Sequence, residues 1–399
     1  MASARRIIFG VILGLITSVH AADLPRNDRL NPAADEQRLA EIDDVNSVLF
    51  LRGESKVAAF RNMVKLVPSR RIDVGAKMLP LGDARRELGE IKFSAGDAAM
   101  TVNEYVAQHQ VAGLLVIKNG AVVYERYGLG NNQDTLWVSF SVAKSVVSML
   151  FGAAIKDGYI KSLEEKVTDY LPRLKGSSYD QATLRHILQM SSGVQWNEDY
   201  ADPKSDVASA SYDTLGLYEY LRNKPRVAPA GELFNYNTAE TNLAGTVLRA
   251  AIGNNLSTYL SEKIWVPFGM EQPAYWQLTE AGGGEFGGCC INATLRDYGR
   301  LGLFALNNGQ LANGDRVLPE GWMAQSLAPS KGFAGYGYFW WLGDQGSYEA
   351  SGIFGQGIYI DPQENVVIAI LSAWPDADDE SSWGRLARLY QALTAAVAQ

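Results

Sequence analysis

Trp137-Val138-Ser139-Phe140-Ser141-Val142-Ala143-Lys144-Ser145 is the stretch on which the reading of this chain turns. From Val142 to Ile155 the residues are rich in Ala, Ser, Met and Leu, and the run stops near Asp157-Gly158, so a helix is expected to begin just after Ser141. Ser141 and Lys144 then lie three apart on one helical face. A serine at a helix start has its own N–H and the helix dipole aimed at any oxyanion formed beside it. A lysine desolvated in a pocket is partly neutral and accepts a proton, so Lys144 is the candidate activator of a Ser141 nucleophile. This S-x-x-K is the only one in the chain. An exposed lysine on a helix capped by a serine has the same local pattern, so other segments must decide.

Two β-prone runs precede it, Val111 to Lys118 and Ala121 to Tyr127, joined by Asn119-Gly120, both of which accept positive φ. Strands return late: Tyr336 to Leu342, Ser347 to Ala350 leading into Gly357 to Ile360, and Val366 to Ser372. A last amphipathic helix is expected from about Ser382 to Val397. Between them, residues 162–283 read as helices and long loops, with Asn242 to Ala251 as one helical face. This order predicts an α+β fold, with one antiparallel sheet assembled from N- and C-terminal segments, helices packed on it and a helical subdomain. Residues 22–95 read as an N-terminal extension and 96–399 as the main domain.

Arg5 and Arg6 before the apolar run Ile7 to Val19, ending in Val19-His20-Ala21, have the form of an export signal, with cleavage expected after Ala21 and a periplasmic or secreted product. That run is too short to span a bilayer, so the mature chain is expected to have no membrane span. Loss of residues 1–21 removes two of the 36 basic residues and none of the 44 acidic ones, taking the net charge from −8 to −10. That sign repels phosphate backbones, which argues against a nucleic-acid partner. His109 and His186 are the only histidines past the signal, too few for a His-rich zinc site, so no metal and no cofactor is expected. Cys289 and Cys290 are adjacent; a bond between neighbours closes a strained ring, and they read as small buried residues near a Gly-rich turn, with a thiolate nucleophile as the alternative. Nothing in the sequence fixes an oligomeric state.

The segment around Ser141 resembles the nucleophile segment of class C β-lactamases, DD-peptidases and related esterases, the penicillin-recognising serine hydrolases. Leu184 to Gly193 is similar to a recurring segment of that superfamily, which implies a structural role for His186. Tyr236-Asn237-Thr238, with Gly245 nine residues after the tyrosine, resembles in part the family's second motif, and implies that Tyr236 hydrogen-bonds the nucleophile and protonates the leaving group. A neighbouring cation would lower the phenol's pKa for that task. Thr238 departs from the usual Asn or Ser.

Ala350-Ser351-Gly352-Ile353 aligns with the third motif, which implies that Gly352 lets substrate lie against the backbone and that the N–H groups of Ser141 and Ile353 form the oxyanion hole. Ala350 stands where the family has a cation that holds a β-lactam carboxylate, which argues for an esterase or amidase over an efficient β-lactamase. Trp196 to Val207 resembles the mobile substrate loop of the 6-aminohexanoate-dimer hydrolase branch, which implies that Tyr200 reaches the substrate; Ala350, Gly352 and Gln356 complete the expected substrate-binding set. The implied activity is hydrolysis of a small ester or linear amide through an acyl-enzyme, with a cell-wall β-lactamase or D,D-peptidase and a catalytically silent binding protein as alternatives.

Overall fold

The computed structural model describes residues 31–398 apart from 44, 95, 97 and 98, so the export segment lies outside the described residues. The hairpin at Asn119-Gly120 forms as its sequence dictates: Val111–Lys118 pairs antiparallel with Ala121–Tyr127, and both turn residues have positive φ, 52° and 78°. The same hairpin sits in a seven-stranded sheet whose order is Trp341–Leu342, Tyr348–Gly352, Gln356–Asp361, Val366–Ser372, Val111–Lys118, Ala121–Tyr127 and Gly82–Asp83. Every pairing is antiparallel except that of the short Gly82–Asp83 strand. The centre, Val366–Ser372 against Val111–Lys118, is almost wholly buried, because both its faces are covered by helices. The expected sheet of N- and C-terminal strands is therefore present.

The expected strand Tyr336 to Leu342 shrinks to Trp341–Leu342, since Phe339 has φ 58° and the chain folds back on itself before it can pair. A second sheet, absent from the sequence reading, joins four short strands, Ser69–Ile72, Ala274–Gln277, Ile291–Ala293 and Trp137–Val138. Its strand Ala274–Gln277 lies inside the stretch read as helical, and its strand Ser69–Ile72 comes from the segment read as an extension. The segment before residue 96 is thus hydrogen-bonded into the body rather than laid over it.

The helix that follows Ser141, Val142–Lys156, is buried along nearly its whole length, which suits its apolar composition. A second buried helix, Thr238–Ile252, packs on it; Asn237 caps this helix through its side chain, which accepts from the Glu240 N–H, and Gly253 ends it in the left-handed region. The C-terminal helix runs Glu380–Ala398. Among the described residues no helix is long and apolar enough to cross a membrane.

Candidate active site

Three segments meet in front of the helix Val142–Lys156. The first is its own start. Phe140 has φ 44°, an unusual value for a bulky residue, and the bend puts Ser141 at the helix N-terminus, in αR geometry and with no capping bond from its side chain. Its hydroxyl is therefore not occupied in holding the helix. Lys144 Nζ donates to Ser141 Oγ at 2.9 Å and to the Gly288 carbonyl at 2.7 Å. The lysine is only 1% exposed, and burial pushes its ammonium down to about 8, against a smaller opposing pull from the Glu198 carboxylate.

Gly288 can take its place because it is glycine: a Cβ there would meet Thr238 Cγ2 at 2.7 Å and the Thr238 carbonyl at 2.9 Å. That close approach brings in the second segment, the N-terminus of the Thr238–Ile252 helix. Just before it, the Tyr236 side chain sits beside Ser141, its ring 5.2 Å from Lys144 Nζ and stacked on Trp341 with centroids 5.6 Å apart. The three residues singled out from separate motifs are thus in one place. The expectation that the lysine lowers the tyrosine's pKa is corrected: burial first, and the Glu198 charge second, push the phenol up, so Tyr236 is held as a neutral hydroxyl.

The third segment is the end of the edge strand Tyr348–Gly352. A Cβ on Gly352 would lie 2.5 Å from the Ser139 carbonyl, so the glycine permits this strand to abut the segment carrying Ser141. The tight turn that follows, closed by the Gly355 N–H to the Gly352 carbonyl at 2.9 Å, sets Ile353 on the same cavity as Ser141. Ala350 is buried and brings no cation to the site. Gln356, expected to touch substrate, is turned away: its Nε2 donates to the Ser372 carbonyl at 2.9 Å and its Oε1 accepts from the Phe354 N–H at 3.2 Å, so both ends brace the turn.

Tyr200 is half-buried and lines the cavity with Ser141, its hydroxyl donating to Glu198 Oε1 at 2.8 Å. Glu198 itself escaped the sequence reading. Its carboxylate accepts from Trp196 Nε1 and Tyr200 on its own loop, and from the N–H of Thr238 at 3.0 Å and the Thr238 hydroxyl across the site. The loop is pinned a second time where Asp206 accepts from the Asn197 N–H at 2.8 Å. A carboxylate two residues before a site tyrosine was the available signal, but nothing local says what it will grip.

His186 caps its own short helix through reciprocal bonds with Thr183, a structural role. Cys289 and Cys290 are joined as a disulfide, the less expected outcome, on the cavity wall beside Gly288. Among the described residues no group of three or more His, Cys, Asp or Glu side chains could hold a metal ion. The cavity in front of Ser141 has a volume of about 260 Å³. A larger one, about 490 Å³, lies between Trp341, Glu349 and the C-terminal helix, but it contains no nucleophile–base pair, and the chemistry outweighs the size.

The β-lactamase family model matches residues 98–392. The chain is 31% identical over 289 residues to the 6-aminohexanoate-dimer hydrolase of Paenarthrobacter ureafaciens, spanning 66% of this chain and 73% of that protein. It is 26% identical over 184 residues to a β-lactamase of Pseudomonas fluorescens, 43% of this chain and 48% of that one. Among solved structures, a proposed 6-aminohexanoate-dimer hydrolase from Bacillus anthracis superposes with a TM-score of 0.79 at 24% identity, covering 89% of this chain and 98% of the other, a likeness of fold.

Proposed function

Because the chain belongs to the β-lactamase family, we propose that it is a serine hydrolase that cleaves small esters or linear amides by way of an acyl-enzyme on Ser141. The observation that carries this reading is the 2.9 Å contact between Lys144 Nζ and Ser141 Oγ inside a site that pushes the lysine down to about 8. A neutral Lys144 accepts the serine proton along that contact while its own N–H stays on the Gly288 carbonyl. The freed Oγ attacks the substrate carbonyl, and the oxyanion is received by the N–H groups of Ser141 and Ile353. Tyr236, held neutral by burial beside Ser141, passes the proton from the lysine to the departing alcohol or amine. Water then takes the same route in reverse and releases the acid. No step calls for a metal or an organic cofactor.

Ester and amide chemistry is favoured over β-lactam chemistry because Ala350 stands where a carboxylate-holding cation is needed. A 6-aminohexanoate-dimer hydrolase among the relatives supports the same choice. The signal at residues 1–21 supports export, with cleavage near Ala21 and action in the periplasm or outside the cell. The test is a panel of p-nitrophenyl butyrate, a linear amide and a chromogenic cephalosporin, assayed on the mature protein. Turnover of the ester or amide with no turnover of the cephalosporin is expected. Efficient cephalosporin hydrolysis would transfer the assignment to a cell-wall enzyme, and no turnover of any would favour a silent binding protein.

A further inference from the structure

The cavity in front of Ser141 is not built from the family-matched residues alone. Val48 and Leu49, in the short helix Val45–Phe50, and Met63, in the helix Met63–Leu66, form part of its wall, although all three precede residue 98. This wall is held firmly in place. Phe60, on the helix Gly53–Arg61 between them, meets Trp137, Phe140 and Phe354 with ring centroids 5.9, 5.0 and 5.2 Å apart, and so touches the residues next to both Ser141 and Ile353. Lys56 of the same helix is buried against the Phe354 ring and donates to the carbonyls of Trp374 at 3.0 Å and Pro375 at 2.7 Å. Arg61 Nη2 donates to the Leu129 carbonyl at 2.9 Å.

Val207, Leu278 and Phe286 also line the cavity, and none of the described residues lining it is charged. At about 260 Å³ it lies just below the lower end, roughly 300 Å³, of ordinary ligand pockets. An apolar group entering it loses water and gains contacts, whereas a carboxylate would lose its water and find no cation. We propose that Val48, Leu49 and Met63 make the N-terminal segment a specificity element, which restricts the substrate group carried into this cavity to one that is uncharged, apolar and short.

This inference rests on the acyl-transfer reading, and its test keeps the two apart. The measurement is kcat/KM for p-nitrophenyl butyrate, octanoate and the anionic hydrogen succinate, on the wild type, Leu49→Ala and Leu49→Arg, with labelling of Ser141 by a fluorophosphonate in each. In the wild type butyrate is expected to exceed succinate by at least ~10-fold and to exceed octanoate, the range in which apolar pockets discriminate. Leu49→Ala is expected to raise the octanoate-to-butyrate ratio about 10-fold, and Leu49→Arg to raise the succinate-to-butyrate ratio by a similar factor. Wild-type protein that labels at Ser141 but treats butyrate and succinate alike, or variants that label yet keep the wild-type ratios, overturn the wall proposal alone. Failure of the wild type to label overturns the acyl-transfer reading beneath it.

Discussion

Glu198 grips Thr238 twice, its carboxylate accepting from the threonine's N–H at 3.0 Å and from its hydroxyl, and so ties the Tyr200 loop to the helix that follows Tyr236. The same carboxylate is the charge that holds the Lys144 pKa up against burial. Replacing Glu198 by Gln should therefore do two separable things. The acid limb of the pH–rate profile should move to lower pH, because the lysine loses its opposing charge, and KM should rise about 10-fold as the loop loosens, a loss of the size expected for a charged hydrogen bond. A higher KM with an unmoved limb would reduce Glu198 to loop support only.

The pH dependence of the wild type follows from Lys144. The proposed reaction needs the neutral amine, and burial lowers its pKa to about 8, so kcat/KM for an ester should rise with pH through a limb near 8 and then level off. Initial rates from pH 6.5 to 9.5, corrected for spontaneous hydrolysis, decide this. A flat profile over that range contradicts a lysine base.

Tyr236 is pushed up by burial and stays protonated, so it acts as a hydroxyl and not as a phenolate. Tyr236→Phe keeps the ring stacked on Trp341 and removes only the relay. Loss of about 10² to 10⁴ in kcat is expected, with KM little changed. Full activity in this variant would remove Tyr236 from the proton path.

Stability should also depend on pH through Lys56, whose pKa falls from 10.5 to about 8 because of burial, with the Arg52 charge adding to the effect. Between those values the unfolded chain binds more protons than the folded one, so stability rises with pH across the window and is flat below it. Lys144 contributes with the same sign. Urea midpoints at pH 7.5 and 9.5 should thus increase in the wild type and increase less in Lys56→Met. Equal slopes in the two proteins would contradict a buried, readily deprotonated Lys56.

Those parts of the molecule that rest on local pattern were legible in the sequence. The Asn119-Gly120 turn fixes its hairpin by backbone preference alone, and the apolar run after Ser141 becomes a buried helix. The second sheet was not legible, because its strands are two to four residues long and come from four distant segments, too short for periodicity to register. Phe339, with its positive φ, breaks an aromatic run that otherwise reads as strand. Val48 and Leu49 carried no signature, and Glu198 only its place two residues before Tyr200: an acidic loop residue and two aliphatics acquire their roles only when remote segments close around one cavity. Gln356 was expected among the substrate-binding residues, yet its amide is taken up by two backbone groups.

The proposed reaction stands on acylation of the Ser141 hydroxyl, activated by Lys144. Peptide mass spectrometry of the protein after treatment with a fluorophosphonate decides it. A single adduct on Ser141 is predicted, absent in Ser141→Ala and formed far more slowly in Lys144→Ala. An adduct on another residue, or one on Ser141 that forms at the same rate without the lysine, would contradict it.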